Sequence, residues 1–178
     1  MALASDIQHE LIGFVAGFYK GKDTMHDWTH VERVRKRALQ FSETKPCDLH
    51  LLSTAACLHG VISSHEDKIR VFLVDRGVPQ ADVDRLVSVA WESQKETAPE
   101  SIEGQLLHDA HLLEGDANFV LTKTLVTGSA RGQTLAETLA YFEANVGRCR
   151  CFFPDNQREY ARREDIAREY LAKLKAEL

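Results

Sequence analysis

The chain has 178 residues, 44% hydrophobic and 28% charged, with a net charge of −5 when histidine is neutral. That balance fits one soluble globular domain over 1–178, and ten glycines and four prolines are too few for a linker-rich or disordered chain. The acidic excess argues against a nucleic-acid partner; no apolar run approaches the ~18 residues of a membrane span and no basic-then-apolar leader opens the chain, so the expected location is the cytoplasm, with no membrane partner.

Taken in chain order, the hydrophobic spacing predicts helices throughout. Ile7, Leu11, Phe14, Val15 and Phe18 define the first, which ends at Gly21-Lys22. His30, Val31, Val34, Ala38 and Phe41 define the second, which stops before Pro46. Asp48 is placed to cap the third, whose apolar run Leu51 to Leu58 gives out at Gly60. A fourth covers about 66–76 and closes on Gly77, a natural residue for a helix C-terminus. Val83, Leu86, Val87 and Ala90 make the fifth; Pro99 and Ser101 open the sixth, with Ile102, Leu106, Leu107, Ala110 and Leu113. Phe119 to Leu121 belong to a seventh, closed by Gly128. Thr134 followed by Glu137 reads as a capping box for an eighth, ending at Gly147, and a ninth covers about 156–177. No stretch alternates like a strand, so the expected class is all-α.

The chemistry-bearing residues are histidines. There are eight, at positions 9, 26, 30, 50, 59, 65, 108 and 111. His26 and His30 are four apart, the spacing of one helix face if the helix begins early enough. His59 closes an apolar helix, and His108 and His111 flank Asp109 on another. Neutral imidazole is the common protein ligand for Zn, Fe, Ni and Cu; the competing role is a core histidine bonded to backbone carbonyls. The four cysteines, Cys47, Cys57, Cys149 and Cys151, contain no C-x-x-C pair. They are expected to be reduced thiols rather than disulfides or a zinc site.

Three segments together resemble a known family. His26-Asp27-Trp28-Thr29-His30-Val31-Glu32-Arg33-Val34 is similar to the opening signature of the HD-domain superfamily, H-D-x-x-H-x-x-R-V. Ala55-Ala56-Cys57-Leu58-His59 resembles its second, A-A-x-L-H-D, and the stretch from Ser101 to Glu114 resembles its third, T-x-E-G-x-x-x-x-D-A-D-x-L. Order and spacing agree over about residues 24–120. The resemblance implies a compact all-α bundle and a metal-dependent phosphohydrolase whose ion is held by an H…HD…D pattern. This chain reads H…HG…H: His30 and His59 match ligands, Gly60 stands where the doublet has aspartate, and His111 stands where the final aspartate falls. Asp109 remains, but residues two apart on a helix point ~200° apart, so Asp109 and His111 are not expected to face one ion.

The resemblance therefore implies a metal site of His30, His59 and His111 suited to Zn, Ni, Fe or Co, with Mn also considered and an empty site as the alternative. Asp109 would be an alternative ligand or a supporting catalytic carboxylate. Arg33 would contact substrate or brace a carboxylate, and His26 would lie on the substrate side. Lys123 and Arg131, in a Gly- and hydroxyl-rich stretch read as an interhelical loop, would neutralise substrate charge. Glu66, Asp67 and Glu92 are candidate general bases. The expected activity is hydrolysis of a small phosphorylated or anionic metabolite by a metal-activated water. Two alternatives stay open: an impaired or metal-free HD-fold protein that binds an anionic small molecule, and an HD-fold enzyme of non-phosphatase chemistry. Phe152-Phe153-Pro154 reads as a lid or as the contact of a homo-oligomer.

Overall fold

The computed structural model describes residues 3–94 and 98–177. Its α-helices are α1 Ser5–Ala16, α2 Trp28–Ser42, α3 Leu49–Leu58, α4 Ile62–Val74, α5 Gln80–Glu92, α6 Ile102–Leu112, α7 Ala117–Ala130, α8 Leu135–Asn145 and α9 Pro154–Glu177. A 3-10 turn, Gly17–Tyr19, continues α1. No strand occurs among the described residues, so the protein is all-α. The helices gather into two compact units, Met1–His111 and Leu112–Leu178.

In the first unit α3 is the central element. Leu51, Leu52, Ala55, Ala56, Cys57 and Leu58 are all buried, and α3 packs against α1, α2 and α5. A helix apolar on nearly every side has to be enclosed this way. Amphipathic α2 turns Val31, Val34 and Ala38 inward. Its start corrects the sequence reading of His26. Asp27 is the N-cap, its carboxylate accepting the Thr29 N–H at 2.9 Å. His26 therefore precedes α2 instead of sharing a helical face with His30. Asp48 caps α3 as expected, accepting from Leu51 N at 3.0 Å. Helix α4 begins at Ile62, earlier than the expected 66, and kinks at His65 (φ −137°, ψ 15°), whose ring stacks on Phe18.

The second unit is built on Leu121, Leu139, Phe142, Ala167 and Leu171, contributed by α7, α8 and α9. The capping box of Thr134 and Glu137 forms as read. The loop expected over 123–134 does not. Helix α7 continues through Gly128 to Ala130, so Lys123 is a mid-helix residue and Arg131 is its exposed C-cap. Gly128 is a packing point and no helix stop: a Cβ there would meet the Thr138 side chain, with Thr138 Cβ at 2.9 Å. The backbone reverses at Gly132, at φ +71°. All four cysteines are free, and burial pushes the Cys57 thiol up to about 11, far from a reactive thiolate. No helix of the described residues is long and apolar enough to cross a membrane.

Candidate metal centre

Three helix termini of the first unit converge. His30 lies in the first turn of α2, His59 is the C-cap of α3, and His111 lies in the last turn of α6. Their ligand atoms all lie within 4.8 Å of one another, a grouping composed only of imidazoles. The ring centroids form a near-equilateral triangle with sides of 4.9, 5.1 and 5.6 Å. His30 and His59 are buried, and His111 is partly buried.

Backbone carbonyls orient two of the rings. His59 Nδ1 is 2.7 Å from the Ala56 carbonyl, one turn back on its own helix. His111 Nδ1 is 3.3 Å from the Ser93 carbonyl at the end of α5. A carbonyl only accepts, so each Nδ1 carries the proton and each neutral ring keeps its lone pair on Nε2. His30 Nε2 and His59 Nε2 are 3.0 Å apart. With His59 Nε2 as acceptor, His30 Nε2–H is the donor, and the pair is satisfied by one shared proton. An ion would take the place of that proton. Two nitrogens ~2.0–2.1 Å from a tetrahedral zinc stand ~3.3 Å apart, so the spacing seen here is close to what such an ion requires. The donor set fits a borderline transition ion and does not fit Mg²⁺, which demands oxygen ligands.

The end of α5 braces the cluster in a second way. Gln94 Nε2 donates to the His59 carbonyl at 2.7 Å, so consecutive residues Ser93 and Gln94 hold two of the three histidine segments. Sequence reading missed both, because a backbone carbonyl and a lone amide carry no pattern. It also missed Tyr19. The phenol, buried on the 3-10 turn, donates to the Cys57 carbonyl at 3.1 Å and accepts the Gly60 N–H at 3.2 Å. Burial drives its ionisation well above the ordinary tyrosine range.

The other expected site residues have contacts of their own. The His26 ring lies 5.8 Å from that of His30, with Nδ1 held by the Asp23 carboxylate at 2.9 Å. Arg33, one turn along α2, donates to Thr29 Oγ1 at 2.8 Å. Asp109 is completely buried, 3.6 Å from His108 Nδ1, and is not among the three grouped ligands. In the second unit, Lys123 Nζ bonds the Glu114 carboxylate at 2.5 Å. Of the candidate bases, Glu66 accepts from Arg70 Nε and Trp91 Nε1, both at 2.6 Å. Glu92 accepts from the Ser101 hydroxyl at 2.5 Å. Asp67 is exposed.

This is an HD-domain-like fold. A solved HD-superfamily hydrolase from Bacillus thuringiensis aligns over 97% of this chain and 96% of its own, with a TM-score of 0.71 and 21% identity. A protein from Lactobacillus plantarum aligns over 98% of both chains, with a TM-score of 0.81 and 18% identity. Bacillus subtilis YpgQ, solved in complex with ADP, aligns over 94% of this chain and 97% of its own, with a TM-score of 0.71 and 20% identity. YpgQ, an uncharacterised protein, is also similar in sequence, at 29% identity over 124 residues. That match covers 62% of this chain and spans 60% of the length of the relative. No family profile matches the chain.

Proposed function

We propose that the chain is a metal-dependent hydrolase of a small phosphorylated molecule, with nucleotides the first substrate class to test. The observation that carries this reading is the convergence of His30, His59 and His111 within 4.8 Å on an HD-domain-like fold. The ADP complex of the structurally similar YpgQ supports a nucleotide as ligand class. His30, His59 and His111 would hold one divalent ion, with Ni²⁺, Zn²⁺, Co²⁺ or Fe²⁺ preferred over Mn²⁺. Such an ion supplies Lewis-acid stabilisation of charge on phosphoryl oxygens and activation of water.

The remaining work falls to the chain. The Ala56 and Ser93 carbonyls fix the rings of His59 and His111, so they need not reorganise when charge develops. Arg33, a helical turn from His30, offers its guanidinium to an anion, and His26 flanks the same histidine. Asp109 acts as a buried positioning carboxylate on the helix of His111. Lys123, already paired with Glu114, and Arg131, at the exposed end of α7, have no part in this proposal.

The test is metal content of the purified protein and of His59→Ala. Near one equivalent of transition metal, lost in the variant, is the expected result, followed by phosphate release from one member of a nucleotide and sugar-phosphate panel. An Asp109→Asn variant should keep its metal and lose turnover. His26→Ala should also keep its metal, with a raised KM. A metal-free anion-binding protein is the second reading, favoured by the 3.0 Å contact between His30 and His59, which satisfies both rings without an ion. Wild-type protein that takes up no metal, and gains no thermal stability from added Ni²⁺ or Zn²⁺, would establish that reading instead.

A further inference from the structure

Gly60 follows His59 directly, and its lack of a side chain needs a reason. Backbone conformation is not that reason. The glycines with positive φ are Gly21, Gly77, Gly132 and Gly147, and Gly60 is not one of them, so an L side chain is compatible with its backbone. The reason is Tyr19. A Cβ on residue 60 would stand 3.0 Å from Tyr19 Oη and 3.1 Å from Cε1, tight enough that the phenol would have to give by a few tenths of an ångström.

Tyr19 is poorly able to yield. It is 3% exposed, and its hydroxyl is held from two sides, by the Cys57 carbonyl at 3.1 Å and the Gly60 N–H at 3.2 Å. Its ring meets Trp28 edge-on at 5.5 Å. Lys22 closes the arrangement, donating to the Gly60 carbonyl at 2.6 Å with its ammonium 5.1 Å from the Tyr19 ring centre. The residue beside the His59 ligand is thus fixed through both its N–H and its carbonyl. A side chain there would have to push a pinned phenol aside.

We infer that Tyr19 is a specificity-determining residue of the metal centre: pinned against Gly60, it disfavours a side-chain ligand at position 60 and so keeps the donor set to the three imidazoles, which selects a borderline transition ion over Mn²⁺ or Mg²⁺. This rests on the metal-site reading above for its selectivity, and on packing alone for the exclusion. Neutral imidazoles cancel none of the charge of the ion, and they favour ions of the Ni²⁺ and Zn²⁺ type over those that want carboxylate oxygens.

The experiment is a double-mutant cycle. Gly60→Ala and Gly60→Asp are made alone and combined with Tyr19→Phe, which deletes the nearest atom and both hydrogen bonds that pin the ring. Metal-free Gly60→Ala should melt about 3 °C or more below wild type, the shift of roughly 1 kcal/mol in a chain of this size. In the Tyr19→Phe background it should lose less than half as much. Gly60→Asp alone should keep the wild-type preference for Ni²⁺ over Mn²⁺ in competitive equilibrium dialysis. With Tyr19→Phe added, that preference should fall at least tenfold. Equal melting losses in both backgrounds, or no loss, would overturn the exclusion. A tenfold gain of Mn²⁺ by Gly60→Asp with Tyr19 intact would overturn the selectivity. Wild-type protein that binds no metal would instead sink the metal-site reading, while the melting cycle would still decide the role of Tyr19.

Discussion

Gly104 and Glu92 are packed so closely that a Cβ on residue 104 would overlap the Glu92 carboxylate and stand 2.7 Å from Glu92 Cβ. The contact ties the end of α5 to the start of α6. The Glu92 carboxylate accepts the Ser101 hydroxyl at 2.5 Å and the Ser101 N–H at 3.2 Å, and Ser101 Oγ accepts the Gly104 N–H at 2.9 Å. The same two helices meet again where the Ser93 carbonyl orients His111. Glu92, a candidate general base in the sequence, is here the clasp of that junction.

Gly104→Ala should therefore act on a site it does not touch. Overpacking of this kind costs about 1–3 kcal/mol, and α5 must shift relative to α6 to relieve it. The expected result is a melting point lower by roughly 3–10 °C, with Ni²⁺ or Zn²⁺ affinity reduced although all three histidines remain. Calorimetric titration of the folded variant checks this; unchanged affinity would show that the clasp and the histidine cluster are independent.

Lys123→Met separates a structural lysine from a substrate-binding one. Glu114 is nearly buried, its side chain 5% exposed, and Lys123 Nζ lies 2.5 Å from it. Removing the cation weakens the compensation of a buried carboxylate, at about 1–3 kcal/mol. Denaturant unfolding should register that loss, while KM for an active phosphate ester stays within about twofold of wild type. A large rise in KM with unchanged stability would return Lys123 to the substrate.

The Glu66 carboxylate joins α4 to α5 and gives stability a pH dependence. Hydrogen bonds from Arg70 first, and Trp91 second, hold its ionisation below the ordinary glutamate range. With the folded value depressed, the contribution is complete above the unfolded value, near ~4.3, and is lost as pH falls through the lower folded value. The group is partly exposed, so the contribution is on the order of 1 kcal/mol or less after solvent screening. Glu66→Gln should be less stable than wild type at pH 7, with the difference shrinking between about pH 5 and pH 3. Urea midpoints measured across that range check it; a constant difference would mean the carboxylate does not titrate with folding.

What was legible in the sequence follows the range of the interactions involved. Helix spacing, the caps at Asp48 and Thr134 and the all-α class are local properties, set within a few residues by side-chain size and hydrogen-bonding groups. The three converging histidines were also legible, each in a segment resembling a known signature. Helix limits were less so. Gly128 looked like a stop because glycine ends helices by conformational freedom, yet here it serves a contact with Thr138, a residue on another helix. His26 looked helical by spacing, but the Asp27 side chain took the cap and left it outside.

Residue order alone is enough to read an all-helical chain with imidazoles at three signature positions and a glycine where the resemblance expects a carboxylate. It took the packing of the helices to bring the three imidazoles together, to set the Ser93 carbonyl against His111 and to place the glycine against Tyr19. These contacts join residues far apart along the chain. His30, His59 and His111 are brought to one point by the packing of helices far apart in sequence, and Tyr19 reaches Gly60 across 41 residues. No local propensity encodes either contact. The glycine that reads in the sequence as a missing ligand is, in the folded protein, one half of a packed pair.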